Sequence, residues 1–162
     1  MSLLVRNLAE QDIDAVLVLA AESLEAPHWN RRDYEKILLA QPEDRLLRCG
    51  FVADSGGTVA GFAVVSWLRH EAAAEVEGLF VELSCRRQGV GSALIAACLD
   101  WAAKAGASTV RLEVRASNTA AHALYRRYGF SPAGIRRAYY SAPVEDALVL
   151  QAPLFSRTSV PL

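Results

Sequence analysis

Cysteine is scarce in this chain of 162 residues, and Cys49, Cys85 and Cys98 are odd in number with neither metal nor redox spacing. A disulfide framework is therefore not expected, and the thiols read as reduced. His28, His70 and His122 stand singly, so no metal centre is expected either. No uninterrupted apolar run reaches membrane-spanning length, and Met1-Ser2-Leu3-Leu4-Val5-Arg6 opens without the apolar core of a secretory leader. A cytoplasmic protein with no membrane partner is the expectation. An excess of one charge is missing too. A net charge of −1 argues against a nucleic-acid partner, whose grip would rest on neutralising phosphates. Repeats and low-complexity tracts are absent.

Hydrophobic residues make up 52% of the chain, enough for one folded domain with a substantial core. That domain is expected over residues 1–155, with a dispensable tail at 156–162. Leu3–Asn7 has the alternation of a strand, and Glu10–Glu22 carries apolar residues at helical spacing. Asn30 is a good N-cap for a helix running to about Leu39. Leu46–Ala53 and Val59–Trp67 read as strands joined across Asp54-Ser55-Gly56-Gly57-Thr58. Glu75–Val81 is a strand, Ala93–Lys104 a helix closed by Gly106, and Val110–Val114 a short β-branched strand. Asn118 caps a helix over Thr119–Tyr128, and Phe130–Arg137 with Glu145–Leu154 complete an antiparallel pair. This order predicts an α/β fold: a mixed, mostly antiparallel sheet with helices on both faces.

Arg86-Arg87-Gln88-Gly89-Val90-Gly91-Ser92 lies between the strand and the long helix. Glycines let successive N–H groups converge on one point, and a helix N-terminus adds its free N–H groups and positive dipole end. Two arginines add full charge, so a pyrophosphate is the natural ligand. The nucleotide P-loop needs Gly-Lys-Ser/Thr, and here Ser92-Ala93 follows Gly91 with no lysine. The dinucleotide fingerprint needs a third glycine, which is absent.

The segment resembles instead the acetyl-CoA loop of the GNAT acetyltransferases, Gln/Arg-x-x-Gly-x-Gly/Ala, with Arg86, Gly89 and Gly91 in the defining places. Downstream come Leu112-Glu113-Val114-Arg115-Ala116-Ser117-Asn118, Ala123-Leu124-Tyr125, Gly129-Phe130, Ile135-Arg136-Arg137-Ala138-Tyr139-Tyr140 and Glu145-Asp146-Ala147. In this order they are similar to the bacterial ribosomal-protein-alanine N-acetyltransferases of the RimI type. The resemblance runs from about Leu3 to Leu154 and is strongest from Val81 to Leu150. Pro27-His28-Trp29 looks like that family's Pro-Trp segment with one residue inserted. The resemblance implies the GNAT fold, acetyl-CoA as co-substrate, and a protein N-terminus, on a small-subunit ribosomal protein, as acceptor. The oligomeric state is not readable.

Acetyl transfer from a thioester to an amine needs a proton acceptor for the ammonium, a donor to the oxyanion and a proton for the departing thiolate. By strand alternation Glu113 points away from Leu112 and Val114, toward a face where a cleft can lie. The resemblance makes it the base. Tyr125, two turns beyond Asn118 on one helix face, is the candidate acid; the resemblance gives it that role and puts Asn118 on the cofactor. Glu75 and Glu77 are rivals for the base, and the family pattern has no such acidic pair. The backbone of Leu79, Phe80 and Val81 is the candidate cradle for the acetyl-pantetheine arm, with Gly78 marking a bulge. Pro27-His28-Trp29, Arg136-Arg137 and Tyr139-Tyr140 are candidate walls for the acceptor. Cys85 beside the loop reads as a small apolar residue rather than an acyl carrier. Two other functions fit the same pattern: acetylation of a small-molecule amine or lysine side chain, and a non-catalytic CoA-binding module.

Overall fold

A computed structural model describes residues 2–23 and 28–155. Pro27 and the expected tail at 156–162 lie outside the described residues. The chain opens with β1 (Leu3–Asn7) and a 3₁₀ turn at Glu10–Asp12, which leads into α1 (Ile13–Ala21). Asp12 is buried there, its carboxylate taking Arg6 Nη1 at 2.7 Å, Arg6 Nη2 at 2.9 Å and the Ala9 N–H at 2.8 Å. In α2 (Arg31–Leu38), Asn30 and Asp33 exchange side-chain and backbone bonds, a reciprocal cap of the N-terminal donors. The hairpin of β2 (Leu46–Ser55) and β3 (Thr58–Leu68) turns at Gly56 and Gly57, both at positive φ. Then follow β4 (Ala73–Val81), α3 (Val90–Ala105), β5 (Thr109–Arg115), α4 (Thr119–Arg127), β6 (Ser131–Ser141) and β7 (Val144–Pro153).

Several boundaries differ from expectation, and two of them bear on the site. Helix α3 starts at Val90 rather than Ala93, because Gly89, left-handed at φ +82°, is its N-cap. Strand β6 runs to Ser141 rather than Arg137, because it absorbs extra residues after Arg136 and pairs again at Tyr140 with Glu145.

The seven strands form one sheet in the order β1-β2-β3-β4-β5-β7-β6. Every pairing is antiparallel except β4 with β5. Helices cover both faces. Under α1 and α2 lie Ile13, Val16, Tyr34, Val52, Phe62, Val64 and Phe80; under α3 lie Leu94, Ile95, Cys98, Val65, Val110 and Val114.

Two irregularities in β4 shape the centre of the sheet. Val76 pairs with Val65 and Gly78 with Val64, so Glu77 is an extra residue. The bulge thus sits at Glu77, not Gly78 as expected, and Gly78 is the re-entry into the ladder. An extra residue reverses the side-chain alternation. Ala74 and Val76 face α3 before it; Leu79 and Val81 pack on that side after it, and Phe80 turns toward α1. The second irregularity is on the other edge. Strands β4 and β5 pair only over Ala73–Glu75 with Thr109–Arg111, then part.

Candidate active site

The parting leaves the β5-facing edge of β4 beyond Glu75 without a strand partner, and the chain then enters the loop before α3. Glu82 stabilises that turn. Its carboxylate accepts from the Ser84 N–H at 3.0 Å and from the Ser84 hydroxyl, which holds it below the usual carboxylate range. Gln88 Nε2 donates to the Ser84 carbonyl at 3.0 Å, and Arg86 Nε to that of Val81 at 3.4 Å. Arg87 is left-handed at φ +60°, uncommon for a residue with a Cβ. The first helical bond of α3 is Ala93 N–H to Gly89 O at 3.0 Å. The N–H groups of Val90, Gly91 and Ser92 therefore precede the helical ladder.

The two glycines serve different ends. A Cβ on Gly89 would meet open space, so its need is the positive φ. A Cβ on Gly91 would lie 3.0 Å from Leu124 Cδ2, so this glycine lets α4 approach α3. Tyr128 Oη donates to the Ser92 carbonyl at 3.1 Å, and Arg127 Nη2 reaches Ser92 Oγ at 3.4 Å, tying the same helices. The Val90 side chain is buried in the core, so only its backbone can serve a ligand.

On the α1–α2 face lies a cleft of about 720 Å³. Glu75, Glu77 and Glu113 all line it, together with His28, Trp29, Arg136 and Tyr139. Leu112 and Val114 are 4% and 3% exposed in the core, and Glu113 between them turns into the cleft as alternation requires. Arg136 Nε lies 2.6 Å from Glu113 Oε1. Tyr139 lines the same cleft, and the Glu113 carboxylate raises its phenol above the usual range. Glu77 is committed elsewhere: Arg48 Nε and Nη2 reach its two oxygens at 3.0 and 3.2 Å. Glu75 is exposed and forms no ion pair among the described residues.

Tyr125 is not in this cleft. It is 7% exposed on the α3 side of the sheet, its ring 5.6 Å from Phe130. Glu113 and Tyr125 thus occupy opposite faces of a sheet whose strands β4 and β5 are unpaired beyond Glu75 and Arg111. Asn118 Oδ1 accepts the Ala121 N–H at 3.1 Å and caps α4. Cys85 is half-buried in the turn and does not line the cleft.

Sequence reasoning misses the partners of the carboxylates. Arg48 sits on β2 and reaches Glu77 on β4 across the intervening strand, where Ser66 is its register partner. Arg115, at 7% exposure, donates Nη1 to the Pro143 carbonyl and to Glu145 at 3.3 Å, and lies 4.1 Å from the Tyr140 ring centre. Glu145 also accepts the Ser117 N–H at 2.6 Å, so the β6–β7 hairpin is anchored to the start of α4. Such pairings depend on register, which no local pattern carries. Among the described residues, no group of side chains is arranged to hold a metal, and no helix is long and apolar enough to cross a membrane.

Residues 13–130 match the model of the acetyltransferase (GNAT) family. The chain is 38% identical over 122 residues to the ribosomal protein bS18-alanine N-acetyltransferase of Escherichia coli, covering 74% of this chain and 80% of that protein. The crystal structure of the ribosomal-protein-S18-alanine N-acetyltransferase from Escherichia coli superposes with a TM-score of 0.78 at 32% identity, covering 99% of both chains. Ard1 from Thermoplasma volcanium gives a TM-score of 0.79 at 28% identity, covering 96% of this chain and 99% of that one.

Proposed function

The chain belongs to the GNAT acetyltransferase family, and from that premise we propose that it acetylates the N-terminal amine of a protein, an alanine-starting ribosomal protein being the acceptor. The names of its relatives support the acceptor class. The observation that carries the chemistry is the parting of β4 from β5, with a carboxylate on one face of the sheet and a buried phenol on the other.

The residues fit acetyl-CoA. The N–H groups of Val90, Gly91 and Ser92, with Gly89 shaping the turn and Gln88, Arg86 and Arg87 beside it, suit a pyrophosphate. The unpaired edge at Leu79, Phe80 and Val81 suits an amide-bearing arm that adds like a strand. Asn118 stands at the start of α4, and the family resemblance gives it a cofactor role. When bound, acetyl-CoA supplies an acetyl thioester as the electrophile.

In this reading Glu113 takes a proton from the acceptor ammonium, freeing the lone pair for attack. A β4 N–H donates to the oxygen where negative charge develops. Tyr125 gives its proton to the departing thiolate from the other face. Glu113 is preferred over Glu77, which Arg48 holds in a two-point ion pair, and over Glu75, which lies where β4 and β5 are still paired. Cys85 lies off the cleft, so direct attack in a ternary complex is preferred to an acyl-enzyme. The test is mass spectrometry of peptides after incubation with acetyl-CoA. Acetyl groups confined to alanine-starting N-termini support the reading; acetylation of only lysine side chains or polyamines overturns it, and no thiol release with any amine leaves a binding module.

A further inference from the structure

We propose that Arg136 is an internal stand-in for the acceptor's ammonium: its guanidinium occupies Glu113 in the empty enzyme, and the incoming α-ammonium must displace it. This rests on the reading of Glu113 as the group that meets the acceptor amine. Glu113 is half-buried in the cleft, and its one ion-pair partner among the described residues is Arg136, at 2.6 Å. The other two arginines lining the cleft are turned elsewhere. Arg111 Nε donates to Gln151 Oε1 at 2.9 Å, and Arg115 is held by Pro143 and Glu145.

Beyond Arg136 the backbone of β6 is distorted in a way that brings a second side chain to the same cleft. Residues three apart on a regular strand face opposite sides of a sheet. Arg136 and Tyr139 nevertheless line one cleft with Glu113, the guanidinium 5.9 Å from the Tyr139 ring centre. Arg136 pairs with Ala147 and Tyr140 with Glu145, so residues 137–139 stand opposite Asp146 alone. Ala138 at the middle is left-handed, φ +49°, and its N–H donates to Asp146 Oδ1 at 2.8 Å. A residue with a Cβ held in that region is strained, and such strain persists where the surroundings impose it. Its outcome here is that Tyr139 faces the cleft beside Arg136, which holds Glu113.

An ammonium fits the same place chemically. It carries one positive charge and donates to carboxylate oxygens, as the guanidinium does. Arg136 is 59% exposed, so it can swing to solvent when displaced, at little desolvation cost. Acceptors that bring a cation recover the lost ion pair; a neutral N-terminus does not. The exchange therefore adds selectivity for a charged amine, and it keeps the carboxylate neutralised between turnovers.

The test is calorimetric titration of an alanine-starting peptide into the CoA-loaded protein, in which no turnover occurs. Wild type, Arg136→Gln, Arg136→Lys, Glu113→Gln and the Arg136→Gln/Glu113→Gln pair are compared. Removing one half-exposed competing ion pair should tighten peptide binding by roughly two- to fivefold in Arg136→Gln. Arg136→Lys keeps the competing cation and should stay near wild type. The gain should vanish when Glu113 is Gln, and for the same peptide with its N-terminus already acetylated. Weaker or unchanged binding in Arg136→Gln overturns the proposal, as does an equal gain for the acetylated peptide. Failure of the peptide to bind any variant overturns the acceptor class and the exchange with it. Turnover of Glu113→Gln is scored separately: normal turnover removes the base assignment, while the titration still decides the exchange.

Discussion

Gly89 and Gly91 stand two residues apart in one motif, yet the structure gives them separable physical reasons, and a pair of alanine substitutions tests this. At Gly89 a Cβ meets nothing, and the cost is that of a left-handed residue, about 1–2 kcal/mol. That cost falls on the loop, so Gly89→Ala should shift the loop toward other conformations and weaken CoA binding about tenfold, since 1.4 kcal/mol is one decade. At Gly91 the backbone is helical, and alanine would favour the helix by up to about 1 kcal/mol. Against this, the added Cβ lies 3.0 Å from Leu124 Cδ2, and overpacking of this kind costs about 1–3 kcal/mol. The net is a destabilisation of about 0–3 kcal/mol, seen as a fall of up to several degrees in Tm for a chain of this size. Because the contact is with one side chain, Leu124→Ala should relieve it. The double variant should be more stable than the sum of the singles, with a coupling of about 1 kcal/mol or more. Thermal melts and CoA calorimetry on the four proteins decide the matter. If Gly91→Ala leaves Tm unchanged, loses CoA affinity and shows no coupling to Leu124, then Gly91 exists for backbone approach to the ligand and the helix-packing argument fails.

Tyr125→Phe keeps the ring against Phe130 and removes the hydroxyl, so CoA binding should persist while kcat falls on the order of 10²-fold; near-normal kcat would reassign the residue to packing. Glu113→Gln should lose on the order of 10²-fold or more in rate near neutral pH and recover in part above about pH 8, where an α-amine is already neutral. Glu75→Gln and Glu77→Gln should act more on acceptor KM than on kcat, and a pH–rate profile on the three variants checks this; loss of the pH dependence in Glu77→Gln alone would move the base to β4. Asp12 is held below the ordinary carboxylate range first by its bond from Arg6 and further by the Ala9 N–H. A depressed folded pKa stabilises above the unfolded value of about 3.8 and is lost as pH falls through the folded one, so Asp12→Asn should cost about 2 kcal/mol at neutral pH and flatten the acid limb below pH 4 in urea melts.

The element order is legible in the sequence because each segment carries its own period and its own punctuation. Asn30, Gly106 and Asn118 mark helix ends by chemistry that acts within a few residues, and all three cap helices in the structure. The orientation of Glu113 is legible for the same reason, since its neighbours Leu112 and Val114 are apolar and alternation does the rest. What is not legible is anything set by register between distant segments. Glu77 rather than Gly78 is the bulge because the ladder with β3 slips there, and nothing in Val76-Glu77-Gly78 reports the slip. Gly91 reads as a ligand glycine because its helix-packing partner, Leu124, is far along the chain. The arrival of Tyr139 on the same side as Arg136 needs the left-handed Ala138, and alanine is a residue that gives no warning of such a conformation.

The central strand shows why the irregular residues matter more to this site than the regular ones. In a regular β4, Glu75 and Glu77 on one face would be followed on that face by Leu79 and Val81. The carboxylates and the apolar side chains that pack below α3 cannot share a face without burying charge or exposing core. One extra residue at Glu77 resolves the conflict by exchanging the faces midway along the strand. The first half then offers acids to the cleft, and the second half seats Leu79 and Val81 on the α3 side. The parting from β5 begins in the same stretch, because its parallel pairing extends no further than Glu75 with Arg111. The acidic side of the cleft and the unpaired strand edge therefore adjoin in one short stretch of β4, where the alternation reverses.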